Sequence, residues 1–157
     1  MDAEMIKRLV KHLEGGEAFS PVTTFLEEIT FDKLGERPHG LPYSFYEIFY
    51  HMRYAQHDIL QFCVADEYHE SKWPDDYWPN EQAPKTENEW KNLKNNFFRE
   101  RDELVKFISD SPDKLMQPVK NGGNQTLLRE LMLVIEHNAC HTGQLVIILR
   151  LLGLHKS

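Results

Sequence analysis

Cysteine is scarce in this chain: Cys63 and Cys140 are the only two among 157 residues. They lie inside periodic apolar stretches and form neither a C-x-x-C zinc pair nor a disulfide framework. Long apolar runs are missing too, since none approaches the roughly 18 residues of a membrane-spanning helix. Basic charge is in deficit, with 18 Lys and Arg against 25 Asp and Glu and a formal net charge of −7. That balance excludes the basic face of a general nucleic-acid binder. The opening residues Met1-Asp2-Ala3-Glu4 lack the apolar segment of a signal peptide. The expectation is a cytoplasmic protein with neither nucleic acid nor membrane as partner. Disorder is excluded by what is present, 41% hydrophobic residues including 11% aromatics. One domain over residues 1–157 is expected, with no internal repeat.

Nowhere does a two-residue alternation persist, whereas helical periodicity recurs four times. The first stretch, about Ala3 to Glu14, is interrupted by Gly15-Gly16 and restarts at Ser20-Pro21, read as N-cap and first helical residue. It is one broken helix or two short ones. Ser44-Phe45-Tyr46-Glu47 has the form of a capping box and opens a helix to about Val64. A second box, Thr86-Glu87-Asn88-Glu89, opens a third helix ending near Asp110-Ser111-Pro112. Thr126 caps a fourth, Leu127 to Leu152, stopped by Gly153. The fourth is apolar on nearly three sides, as a helix central to a bundle would be. Four helices without strands predict an all-α four-helix bundle. The link between the second and third helices far exceeds the two to eight residues usual between antiparallel neighbours. It can cross the bundle and begin a parallel helix, giving up-down-down-up order.

Histidine is the residue in surplus, with eight copies. On the fourth helix His137 and His141 stand one turn apart, about 40° from each other on one face. Two imidazoles so placed on an inner face can hold one ion, with a third ligand supplied by a facing helix. On the second helix His51 lies at the edge of the stripe formed by Ile48, Ala55, Ile59 and Phe62, while His57 points nearly opposite, toward expected solvent. His51 falls roughly 10 Å past its N-cap and His141 roughly 18 Å before its helix stop, so antiparallel packing with a modest offset brings them together. The alternative for these three is a set of hydrogen-bonded core histidines. His12, His39, His69 and His155 are assigned to surface or loops.

The segment His137-Asn138-Ala139-Cys140-His141-Thr142-Gly143-Gln144 resembles the H-x-x-x-H-x-G-Q signature of the DinB/YfiT-like metalloenzyme superfamily. Tyr50 to Gln56, around His51, is similar to the family's histidine segment on its second helix. Gly40 to Ser44 and Trp73 to Pro79 resemble segments of one branch. The resemblance implies up-down-down-up topology, a metal site at His51, His137 and His141, and a homodimer. It implies a divalent ion, zinc or nickel foremost, with iron or manganese as alternatives. Some members resemble transferases or isomerases that use a low-molecular-weight thiol such as mycothiol or bacillithiol.

Three neutral imidazoles leave the charge of a divalent ion uncompensated and a coordination position open, which suits activation of water or a thiol. The expected function is hydrolysis or transfer on a small molecule, and the alternative is a non-catalytic metal- or ligand-binding protein of stress response. Glu130 and Gln144 are candidates for supporting the ligands or facing a substrate; for Glu130 a salt bridge to Arg129 is the plainer role. Cys140, rotated about 100° from His141, is expected to be a packed thiol. Trp73, Tyr77 and Trp78 are read as a lid over the site or as anchors of the long link. A di-iron carboxylate bundle fails because Glu-x-x-His is absent at both histidines, and H-E-x-x-H fails because residue 138 is Asn.

Overall fold

The computed structural model describes residues 3–110 and 112–155. Met1, Asp2 and Ser111, which entered the reading of the chain's start and of the third helix's end, lie outside them. The described residues form five α-helices: α1 (Ala3–Glu14), α2 (Val22–Glu28), α3 (Phe45–Val64), α4 (Glu87–Asp110) and α5 (Leu127–Leu151). Short 3-10 turns occupy the connections, and no strand occurs among the described residues.

Local capping sets most of these boundaries. The Ser44 hydroxyl accepts from the Glu47 N–H at 3.2 Å, and the Glu47 carboxylate accepts from the Ser44 N–H at 2.7 Å, so α3 starts on a complete capping box. Arg37 neutralises the same carboxylate through Nε at 2.9 Å. Thr126 caps α5 by accepting from the Arg129 N–H. At α4 the box is altered: Thr86 accepts from the Glu89 N–H, but Glu89 reaches back to the N–H of Lys85 instead of Thr86. At α2 the expectation is corrected. Pro21 is the cap residue in extended conformation, no side chain caps the helix, and Ser20 stands outside it.

Two apolar clusters fill the interior. In one, Val22, Phe25 and Leu26 of α2 meet Phe45, Phe49 and Met52 from the start of α3, Trp90, Leu93 and Phe97 from the start of α4, and Leu145, Ile148 and Leu149 from the end of α5. In the other, Leu13 of α1 meets Leu60 and Cys63 from the end of α3, Leu104 and Ile108 from the end of α4, and Leu127, Leu131 and Val134 from the start of α5. The buried apolar residues of α3 thus include Phe45, Phe49, Met52, Leu60 and Cys63; of the expected stripe, Ile48 and Ala55 are buried while Ile59 and Phe62 are only half-buried.

Polar groups bridge the helices along α3 between these clusters. Arg53 and His57 of α3 bond the buried Glu100 of α4, with Arg53 Nε at 2.9 Å and His57 Nδ1 at 3.1 Å. Gln56 donates to the Phe97 carbonyl at 2.8 Å and accepts from the Asn138 amide at 3.3 Å. His57 therefore faces α4 and is half-buried, not directed to solvent. His155 is also not free at the surface: it bonds Glu28 at 2.8 Å and meets the Phe25 ring edge-on.

The expectation for α5 is a helix central to the bundle and apolar on nearly three sides. It packs on α1, α2 and α3, yet Met132, Ile147 and Leu151 are 51%, 52% and 42% exposed. These three neighbours leave part of the apolar surface of α5 exposed.

Candidate metal centre

α3 and α5 together bring His51, His137 and His141 to one point. Each offers a ring nitrogen, and the three nitrogens lie within 4.8 Å of one another. His51 Nε2 and His137 Nε2 are 3.0 Å apart. Two nitrogens bound tetrahedrally at 2.0–2.1 Å from a zinc-like ion are about 3.3 Å apart, so this pair is already at ligand spacing. Closing the widest separation needs a shift of about 1.5 Å at one ring.

The remaining ring nitrogens explain why Nε2 points inward. His51 Nδ1–H donates to the Tyr77 carbonyl at 3.2 Å. His141 Nδ1–H donates to Gln144 Oε1 at 2.6 Å, one turn further along α5. Fixing the proton on Nδ1 leaves the Nε2 lone pair available, which is how groups behind a metal ligand orient it. The His51 ring is also clamped in plane: Trp78 stacks on it at 4.1 Å with an interplanar angle of 1°, and Tyr43 stacks on Trp78 at 4.3 Å.

Burial keeps all three imidazoles neutral. It pushes the His51 pKa down to about 4, against the opposing effect of the Tyr77 carbonyl. Burial, with His141 and His51 as neighbours, pushes His137 down to about 3. His141 is lowered for the same first reason. Neutral imidazole is the form that ligates a metal, so the donor set, its tautomers and its spacing fit a divalent ion.

The centre opens onto a cavity of about 430 Å³. Ala55, Ile59, Trp73, Tyr77 and Leu133 give it apolar walls, and Asp58, Glu136 and Cys140 are its other polar residues. Cys140 is exposed at this cavity, not packed as expected from the wheel. The rotation that takes it off the histidine face carries it to the open flank of α5, where no neighbouring helix covers it. The packed thiol is Cys63, 2% exposed, whose pKa burial raises to about 12.

Gln144 thus stands directly behind His141. Glu130 is elsewhere: it is 3% exposed, bonds Arg129 at 2.5 Å and does not line the cavity. Tyr77 and Trp78, read from the aromatic run Trp73 to Trp78 as a lid or as anchors, join the site through the long link. Asp58 of α3, which lines the cavity, is the residue the sequence reading missed.

A sequence model of the DinB superfamily matches residues 18–145. The chain belongs to the DinB superfamily. The matched span contains all three histidines and Gln144. No curated protein and no solved structure matches the chain.

Proposed function

We propose that this DinB-superfamily chain is a metal-dependent enzyme acting on a small molecule by hydrolysis or thiol transfer. His51, His137 and His141 hold one divalent ion, zinc or nickel before iron or manganese. The observation that carries the reading is the convergence of three neutral imidazoles, two with their protons held on Nδ1, at an open cavity. A divalent ion bound there supplies Lewis acidity toward water or a thiol. The chain's own residues do the rest. Gln144 and the Tyr77 carbonyl hold the rings, Trp78 and Tyr43 fix the plane of His51, and Ile59, Leu133 and Trp73 give an apolar body a dry surface. His141 shares that cavity with Glu136, a carboxylate able to take a proton or bind a cationic group.

The helix order that goes with this reading is up-down-down-up. The shared clusters support it: the starts of α3 and α4 meet the end of α5 in one, and their ends meet its start in the other. A homodimer belongs to the same proposal, with the exposed apolar surface of α5 as support.

Elemental analysis of untagged protein tests the centre. About one ion per chain is expected from the donor set, lost in His51→Ala, His137→Ala and His141→Ala and kept in His57→Ala. Equal loss in all four variants, or no uptake from zinc, nickel, iron or manganese by the parent, would refute the assignment. A loaded ion that no added small thiol or water-competing anion reaches would leave a binding protein instead of an enzyme.

A further inference from the structure

Asp58 stands on α3 seven residues after His51, two turns along the same face. Its carboxylate touches no histidine. It accepts three hydroxyls: Tyr68 at 3.1 Å and Ser71 at 3.0 Å on Oδ1, and Tyr77 at 2.6 Å on Oδ2. Tyr54 of α3 adds a contact to the Ser71 hydroxyl at 3.2 Å. All three donors to Asp58 belong to the link between α3 and α4.

The two ends of that link are held by Asn121 Nδ2 donating to the Ala65 carbonyl at 3.0 Å and Ser44 Oγ donating to the Gln82 carbonyl at 2.7 Å. From residue 65 to residue 83 no position is fully buried, and Pro84 is the first that is. Tyr68, Ser71, Tyr77 and Trp78 are half-buried, and Trp73 is 66% exposed. Ordering such a segment costs roughly 1–2 kcal/mol of backbone entropy per residue, which burial here offsets only in part. The hydroxyls on Asp58 are therefore the main polar attachment of its middle. The clipped segment ends on the two groups that hold His51, the Tyr77 carbonyl and the Trp78 ring.

We propose that Asp58 is a positioning residue of the metal centre: it clips the link over α3 so that Tyr77 and Trp78 hold His51 in the tautomer and plane that present Nε2. The inference rests on the three-histidine reading. Binding of the ion and closure of the link are then one coupled equilibrium. By reciprocity, the factor by which an open link weakens metal binding is the factor by which bound metal favours the closed link. A carboxylate suits the clip because it accepts on both oxygens at once, whereas an amide presents one acceptor and one donor. Losing the group behind a ligating histidine weakens metal binding typically 10–100-fold, and Asp58, acting one bond further out, belongs at the low end, about tenfold.

The test uses the full chain and zinc alone. Zinc affinity by chelator competition, and limited proteolysis with and without zinc, are compared for the parent, Asp58→Asn, Tyr77→Phe and His69→Ala. Tyr77→Phe removes one oxygen and keeps both the ring and the carbonyl, so it answers the question even where Asp58→Asn misfolds. Both clip variants should bind zinc about tenfold more weakly, keep their helical circular dichroism and be cut faster between residues 65 and 83. Zinc should slow cutting in the parent more than in the variants, and His69→Ala, in the same link, should behave as the parent. Zinc affinity unchanged in both clip variants would overturn the proposal, as would cutting rates equal to the parent's. A parent that takes up none of zinc, nickel, iron and manganese overturns the three-histidine reading and the coupling with it; one that takes up another of the four but not zinc is tested with that ion, and faster cutting of both variants still establishes the clip itself.

Discussion

Replacing Glu100 by Gln tests the polar bridging of α3 independently of the metal. The Glu100 side chain is 1% exposed and its partner Arg53 is 19% exposed, so the substitution leaves a guanidinium largely buried without its counter-charge. Breaking a buried pair from one side costs about 3–5 kcal/mol. The residual exposure of Arg53 and the hydrogen bonds a Gln amide retains place this case at the low end, about 3 kcal/mol. For 157 residues that lowers the thermal midpoint by roughly 6–12 °C. The pH dependence has a definite sign. Burial by itself raises the Glu100 pKa, and the bonds from His57 and Arg53 more than reverse it, leaving it below 4.5. A carboxyl depressed in the folded state contributes stability above its unfolded pKa and loses it as pH falls through the folded value. The difference in urea-unfolding free energy between parent and variant should therefore hold from pH 7 to about pH 5 and shrink below about pH 4.5. Metal content should not change, because Arg53 and His57 leave α3 about 200° and 240° around from His51. A difference under 0.5 kcal/mol at pH 7, or one that grows on acidification, would refute the reasoning.

Gln144→Leu removes the acceptor that holds the His141 proton on Nδ1, and zinc affinity by chelator competition should fall about 10–100-fold with stoichiometry kept on saturation; an affinity equal to the parent's would show that Gln144 does not orient the ligand. Cys140 is exposed and Cys63 is 2% exposed, so a colorimetric thiol reagent should titrate one thiol per native chain and two in urea. Cys140→Ser should abolish the native reaction, and two fast thiols in the native parent would contradict the described packing.

The helices were legible because their signals are local. Ser44 with Glu47, and Thr126, stop the chain's freedom within one turn, and α3 and α5 begin where those residues place them. The four-residue spacing of His137 and His141 likewise needs only one helix to put both rings on one side. Two caps were misread within their own turns: Ser20 gave way to an extended Pro21, and Glu89 took the Lys85 N–H. Where the signal required a neighbour, the pattern alone misassigned residues. His57 went to Glu100 because α4 packs on that flank, and Cys140 was exposed because nothing packs on its own. A helical wheel ranks directions but cannot say which of them another helix fills.

Periodicity and capping thus carried the all-α fold and the histidine pair, since each depends on residues within a few turns; for His51 the wheel gave only a candidate, and the family resemblance supplied it as the third histidine. Packing decided which ring nitrogens meet, that the Tyr77 carbonyl takes the Nδ1 proton of His51, and that the link reaches back to Asp58 and His51. Those contacts join residues up to 86 positions apart. Their geometry follows from how the helices close on two apolar clusters, a property of the whole chain that no single segment encodes.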